Sequence, residues 1–339
     1  MPTAQELITA ARVAIGDSRS DTDWKIVPTE HASELAAKGA SLAANLRRSR
    51  CEGLAKMYEE LNGKAVRSRD AFKRTVNRAD TAVFCTASLA ALLMVAGGLQ
   101  EHLGDAGKWI VGAVGALGVV SAGLAAMWLN QVRGGELAKR WTSERAKAEA
   151  KRLAYFKAIM EGASDDPSDQ LLALEYTRRF LLDNQIDFFR GRGDQHESEA
   201  TVALHRSTLA LFAASTFTAI AGLLSMLVPQ LALTAGLSVI ASAYAALVLS
   251  RSAVNMDRKN ADRYQNAADR LEERRLDIDV YRERAAAGDK AAVQEFFEPV
   301  FVTLESDHKG YLTDAEQREA AIGDMEQRLS VAKEPLDKR

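Results

Sequence analysis

Forty consecutive residues, 211 to 250, carry no charge in a chain that as a whole is 27% Asp, Glu, Lys and Arg. The stretch is LFAASTFTAIAGLLSMLVPQLALTAGLSVIASAYAALVLS. A helix of about 20 residues, rising 1.5 Å per residue, crosses the roughly 30 Å hydrocarbon layer of a membrane. Forty residues supply two such helices, and Pro229-Gln230 in the middle supplies a turn between them. An unpaired charge at the centre of such a helix costs about 2.5 kcal/mol or more, which accounts for the absence of any.

The same pattern occurs upstream in TAVFCTASLAALLMVAGGLQ and WIVGAVGALGVVSAGLAAMWLN. Four spans are therefore predicted, at about 81–100, 109–129, 207–228 and 231–250. Trp109 and Trp128 stand near the two ends of the second, where amphipathic rings favour the interface. Arg67, Arg69, Lys73, Arg74 and Arg78 precede the first span, and Arg133, Lys139 and Arg140 follow the second. Arg206 precedes the third, and Arg251, Arg258, Lys259 and Arg263 follow the fourth. The link EHLGDAGK holds Lys108 alone, and the Pro229-Gln230 turn holds no basic residue. Basic residues flank the cytoplasmic side of spans, so both termini and the large middle segment are expected in the cytoplasm. The competing reading is a soluble protein burying two Ala-rich hairpins, which leaves the one-sided charge without a cause. The N-terminus has no apolar stretch behind basic residues, so no secretory signal is expected. Cys51 and Cys85, the only cysteines, fit a reducing compartment. The expected location is the bacterial inner (cytoplasmic) membrane, crossed several times.

The two apolar blocks read as copies of one unit. A shift of 123 residues lays Trp141 on Tyr264, Glu149 on Glu272, Arg152 on Arg275, Leu153 on Leu276 and Tyr155 on Ile278. The predicted fold is thus an all-α membrane protein of two tandem repeats, each a transmembrane helical hairpin followed by long cytoplasmic helices. The expected divisions are an N-terminal cytoplasmic helical arm at 1–64, two-span units at 65–195 and 196–315, and a cytoplasmic tail at 316–339. Trp141 and Tyr155 in copy one, with Tyr264, Leu271 and Ile278 in copy two, form an apolar seam along the cytoplasmic helices. No Gly or Pro lies between Gly236 and Gly288, so the fourth span should continue unbroken into its cytoplasmic helix, whereas Gly134-Gly135 should break copy one. In the arm, Thr29 is expected to cap a helix from Glu30, with Leu35, Leu42, Leu46, Leu54, Met57 and Leu61 as its stripe and Gly63 as its end.

Chemistry-bearing motifs are sparse. His31, His102, His196, His205 and His308 stand at no ligand spacing with a Cys or carboxylate, so no metal is expected. GAVGALG from Gly112 lacks the Lys-Ser/Thr and preceding strand of a phosphate loop. Gly112 with Ala116, and Gly118 with Ala122, instead read as small-residue pairs for close helix packing. DDPSD at 165–169 reads as a solvated turn, and the two arginines of FFRGRGD as loop residues facing Asp187 and Asp194 rather than a basic patch. Net charge is −2, which gives no field for nucleic acid. The spans contain no Asp, Glu, Lys or Arg, so a proton relay lacks its usual hardware. They do contain hydroxyls: Thr208, Ser215, Thr218 and Ser225 on one face of the third, Ser238 and Ser242 on one face of the fourth. Such a stripe either packs helices together or lines a weakly polar pore formed by several copies. No catalytic residue and no cofactor are expected, so an enzyme is not.

The segments RWTSERAKAEAKRLAYF and LLDNQIDFF in copy one, with NADRYQNAADRLEERRLDIDVYR and LESDHKGYL in copy two, resemble the SLATT group over about residues 65 to 312. These are two-span domains linked with bacterial conflict systems. The resemblance implies a defence effector that oligomerises and perturbs or permeabilises the inner membrane. It also implies a cytoplasmic sensor or nucleotide-signalling partner; this chain contains no such companion domain. The rival expectation is a non-conducting membrane scaffold whose cytoplasmic helices recruit another protein.

Overall fold

The structure, a computed structural model, describes residues 2–16, 23–133, 136–225 and 235–337. Every regular element among them is a helix. Four helices are long and apolar enough to cross a membrane. The Pro229-Gln230 turn and the Gly134-Gly135 break lie outside the described residues. The chain forms two compact units, each assembled from three separate segments: 1–67, 140–195 and 260–313 in the first, and 68–139, 196–259 and 314–339 in the second.

The first unit contains α1 (Ala4–Ile15), α2 (Pro28–Leu35), α3 (Ala40–Leu46) and the start of α4 (Ser49–Arg133). It continues with most of α5 (Glu136–Glu161), α6 (Pro167–Thr177), a π-helical turn at Arg178–Asp183 and the start of α7 (Asn184–Ser225). Most of α9 (Asp257–Leu276), α10 (Ile278–Ala286) and α11 (Ala292–Thr313) complete it. Local signals start these helices. Thr3 and Glu6 form a reciprocal capping box on α1. Asp166 caps α6 ahead of Pro167, so the DDPSD segment is the helix entry. One apolar core runs through the unit, with Tyr155, Phe156, Ile159, Leu171, Leu174, Phe296 and Phe297 fully or almost fully buried. Of the predicted seam residues, Tyr155, Leu271 and Ile278 are buried in this core and Tyr264 packs against it, while Trp141 is half-buried. Tyr264 stacks on Phe189 at 5.6 Å between centroids.

Several local expectations are corrected here. The N-terminal arm is not one helix from Glu30: α2 starts at Pro28 after an N-cap Val27 that makes no side-chain cap bond, and Thr29 lies inside it. Gly63 does not end a helix, because α4 runs through it. FFRGRGD is not a loop but part of α7, and Arg190 pairs with Asp269 and Glu272. The overlay of copies also has a mismatch: Leu153 is buried, whereas Leu276 is 81% exposed.

The second unit holds the apolar parts of α4 and α7, together with α8 (Gly236–Asn255) and α12 (Ala315–Asp337). Within α4 the helical path breaks at Gly104, whose φ of 55° and ψ of −135° lie outside the range of L side chains. On either side of that break the chain packs on itself. Thr86 Oγ1 lies 3.1 Å from Ser121 Oγ, and both hydroxyls donate to the Ala82 carbonyl, at 2.8 and 3.1 Å. The outer faces stay apolar and open: Trp109 is 82% exposed and Phe212 71%. Leu117, Val120 and Leu223 are likewise exposed. An apolar surface of that extent requires a non-aqueous neighbour. The expected unbroken continuation of the fourth span is also corrected. Met256 adopts the left-handed conformation, φ 56° and ψ 40°, and α8 stops there before α9 starts at Asp257.

Candidate functional site

The second unit places ion pairs at one level of its helices. Asp80, almost fully buried, lies 3.5 Å from Arg251 Nε and 3.6 Å from Arg328. Arg251 Nη2 donates to Thr81 Oγ1 at 2.8 Å, and Arg133 pairs with Glu326 at 3.2 Å. The start of the first apolar stretch and the end of the second thus meet charges of α12, and the end of the fourth joins this belt through Asp80. Burying Asp80 without these cations would cost several kcal/mol.

α12 then leaves the belt and runs along the apolar helices. Its stripe Ile322, Met325, Leu329, Ala332 and Leu336 is buried at spacings of three and four. Leu336 lies about 12 Å beyond Arg328 along the helix, at 1.5 Å per residue. It packs with Ala90 and Leu93, flanked by Val111 and Val114. It also fills the space over Gly118, where an added Cβ would stand only 2.7 Å from Leu336 Cδ2. Sequence reasoning identified Gly118 and Ala122 as packing residues, and both are buried. The role of α12 escaped it, because charges interrupt the stripe. Gly112 and Ala116 are exposed, and nothing lies within 4 Å of a Cβ added at Gly112.

The hydroxyls of the third apolar stretch bond back to their own helix. Thr208 donates to the Leu204 carbonyl, Ser215 to Leu211, Thr218 to Ala214 and Ser225 to Gly222, at 2.8 to 3.0 Å. Ser238 donates to the Ala235 carbonyl at 2.6 Å. Thr208, Ser215, Thr218 and Ser242 are exposed, and Ser225 and Ser238 are half-buried. The packed face of the third stretch is an alanine stripe, Ala203, Ala210, Ala214 and Ala221, with Ser207. In the second unit taken alone, the threonine and serine stripe is therefore an outer face.

One cluster of metal-ligating types was missed in the sequence. His196 Nδ1 stands 2.8 Å from Asp257 Oδ1 and 4.0 Å from Glu199 Oε2. The Asp lies 61 residues away and is brought in by the turn at Met256. Asp257 is buried at the first residue of α9, where a carboxylate complements the helix dipole. That role and the His196 contact account for its position. In the first unit, His31 Nδ1 stands 2.7 Å from the Tyr176 hydroxyl, itself 2.9 Å from the Tyr155 hydroxyl. Burial holds the His31 pKa below its ordinary value, against the pull of Glu34 and Asp23. Burial drives both tyrosine hydroxyls well above theirs.

No protein-family model, curated protein or solved structure matches the chain.

Proposed function

We propose that this chain is a membrane effector of a bacterial defence system that perturbs or permeabilises the inner membrane when copies assemble. The observation that carries the membrane part is the open apolar surface of the second unit on four helices long enough to cross a bilayer. In this reading each pair of spans is a helical hairpin. The Thr86–Ser121–Ala82 bonds support the first hairpin. The belt of Asp80, Arg133, Arg251 and Arg328 lies at the cytoplasmic surface, consistent with the one-sided basic flanks. The tandem-repeat organisation rests on the 123-residue overlay of the two copies, and the defence role and the nucleotide-signalling partner rest on the resemblance of the cytoplasmic segments to the SLATT group.

The second reading, a non-conducting scaffold, has one observation in its favour. The span hydroxyls already spend their protons on helix carbonyls. Purified protein in liposomes loaded with an ion-sensitive dye separates the two. The effector reading expects dye release that rises more steeply than linearly with protein density; the scaffold reading expects none. Carbonate-resistant retention in the vesicles is the parallel check on the membrane assignment.

A further inference from the structure

We propose that α12 is a releasable cover on the apolar helices of the second unit, docked by Leu336 in the Gly118 notch. When released, it hands that notch to the spans of a neighbouring copy. This rests on the membrane reading above and adds its regulation.

Three observations converge. First, α12 is built to dock: its buried stripe has the spacing of a helix that packs on others, and its tip meets Ala90, Leu93 and Gly118. Second, it is built to leave. Beyond the belt it carries Lys333, Glu334 and Asp337, at a depth where Leu93 and Gly118 belong to predicted spans. Glu334 and Asp337 are exposed. Charges exposed beside apolar spans are opposed by hydrocarbon, so full immersion of this face in lipid and docking of α12 compete. Third, its ion-pair tethers have exposed cationic members, and Arg251 stays beside Asp80 when Arg328 leaves. Lys259 pairs with Asp314 at 2.5 Å and donates to Gln317 at 3.1 Å, Arg133 pairs with Glu326, and Arg328 approaches Asp80. Apart from Asp80 and Asp314, the charged partners of these pairs are about a quarter to three quarters exposed, so salt and competing anionic surfaces weaken them. Gly118, with Ala122 one turn on, offers the small-residue approach that span helices use to pair.

The test uses the full chain in inverted membrane vesicles and dye-loaded liposomes. Leu93→Cys with Leu336→Cys, on a background with Cys51 and Cys85 replaced by Ala, places a thiol on each side of the docked contact. Oxidation should link them and slow dye release at least tenfold, and reductant should restore it. Equal release from the linked and reduced forms overturns the cover. Trypsin reports docking without reference to leakage. Gly118→Leu fills the notch, and Leu336→Ala empties it without touching the spans. Each should speed cleavage after Arg328 and Lys333 at least tenfold. Cleavage at the parental rate in the Leu336→Ala chain overturns the proposal, even if Gly118→Leu fails to insert. Faster cleavage with no dye release in any form supports the cover and overturns the permeabilising reading instead.

Discussion

Glu175 is fully buried and shared between two guanidinium groups. Arg282 contacts it through Nε at 2.6 Å and Nη2 at 3.0 Å, and Arg178 through Nε at 2.7 Å. Arg178 also reaches Asp183, five residues ahead, at 2.6 Å; the π-helical turn widens the helix so that positions i and i+5 come into register. Removing one partner of a buried pair leaves the other uncompensated and costs about 3–5 kcal/mol. Glu175→Ala should therefore lower the unfolding midpoint of the first unit sharply in detergent, whereas exposed Lys290→Ala, which loses only a surface pair with Asp165, should move it little. Equal effects would show that the buried network contributes no more than a surface one. His31 gives a pH signature of known sign. Its folded pKa is depressed, so below about pH 6.5 the unfolded chain binds a proton that the folded chain refuses. Its stabilisation is full above that value and lost as pH falls below it. Asp307, whose pKa burial raises, acts in the opposite direction: its folded form holds the proton longer, so its contribution is lost as pH rises. The His31 share is isolated by difference. Between pH 7.5 and 5.5 the parent should lose more stability than His31→Gln; identical slopes would contradict the assignment. Neither site was legible in the sequence, because Arg282 lies 107 residues from Glu175, and Tyr176 lies 145 from His31.

At the scale of elements, legibility followed the kind of signal. Four apolar helices were readable because about 20 uncharged residues have few alternative explanations. Gly118 and Ala122 were readable as packing residues because small side chains let helices approach. Breaks were not. The stripe from Leu35 to Leu61 passes through α2, α3 and α4, since helical spacing survives short interruptions at Ala36–Gly39 and Arg47–Arg48. The same limit hid the turn at Met256. Absence of Gly and Pro argued for continuity, yet Met256 takes the left-handed conformation at a cost of about 1–2 kcal/mol. The Asp257–His196 contact and the burial of Met256 itself offset it. The face that packs within the second unit is the alanine one rather than the hydroxyl stripe, because Ala lets helices approach more closely. The tail expected at 316–339 lies mostly in α12, whose Leu336 joins the apolar cluster of the second unit.

For the whole molecule, the proposed assembly of copies in a membrane gives the outward hydroxyl face either a lumen or lipid to meet. Ser215 is exposed and its proton is committed to the Leu211 carbonyl, so in lipid it costs little and in a lumen it still offers an oxygen to water or a cation. Ser238 is half-buried and bonded to Ala235, which places it closer to helix packing. The two positions therefore separate lining from packing. If the third spans of several copies surround a pathway, Ser215→Leu should cut dye release at least tenfold with insertion and expression unchanged, because an added isobutyl group dewets a narrow polar face. Ser238→Leu should act through packing and lower the yield of inserted protein as well as release. A cysteine at position 215, in a chain lacking Cys51 and Cys85, should react with a small aqueous thiol reagent in assembled protein and be protected at low density. Unchanged release from Ser215→Leu, together with a thiol that reacts only with lipid-soluble reagents, would place the stripe against lipid. It would then favour the scaffold, in which the apolar surface anchors the chain and the helical first unit does the recruiting.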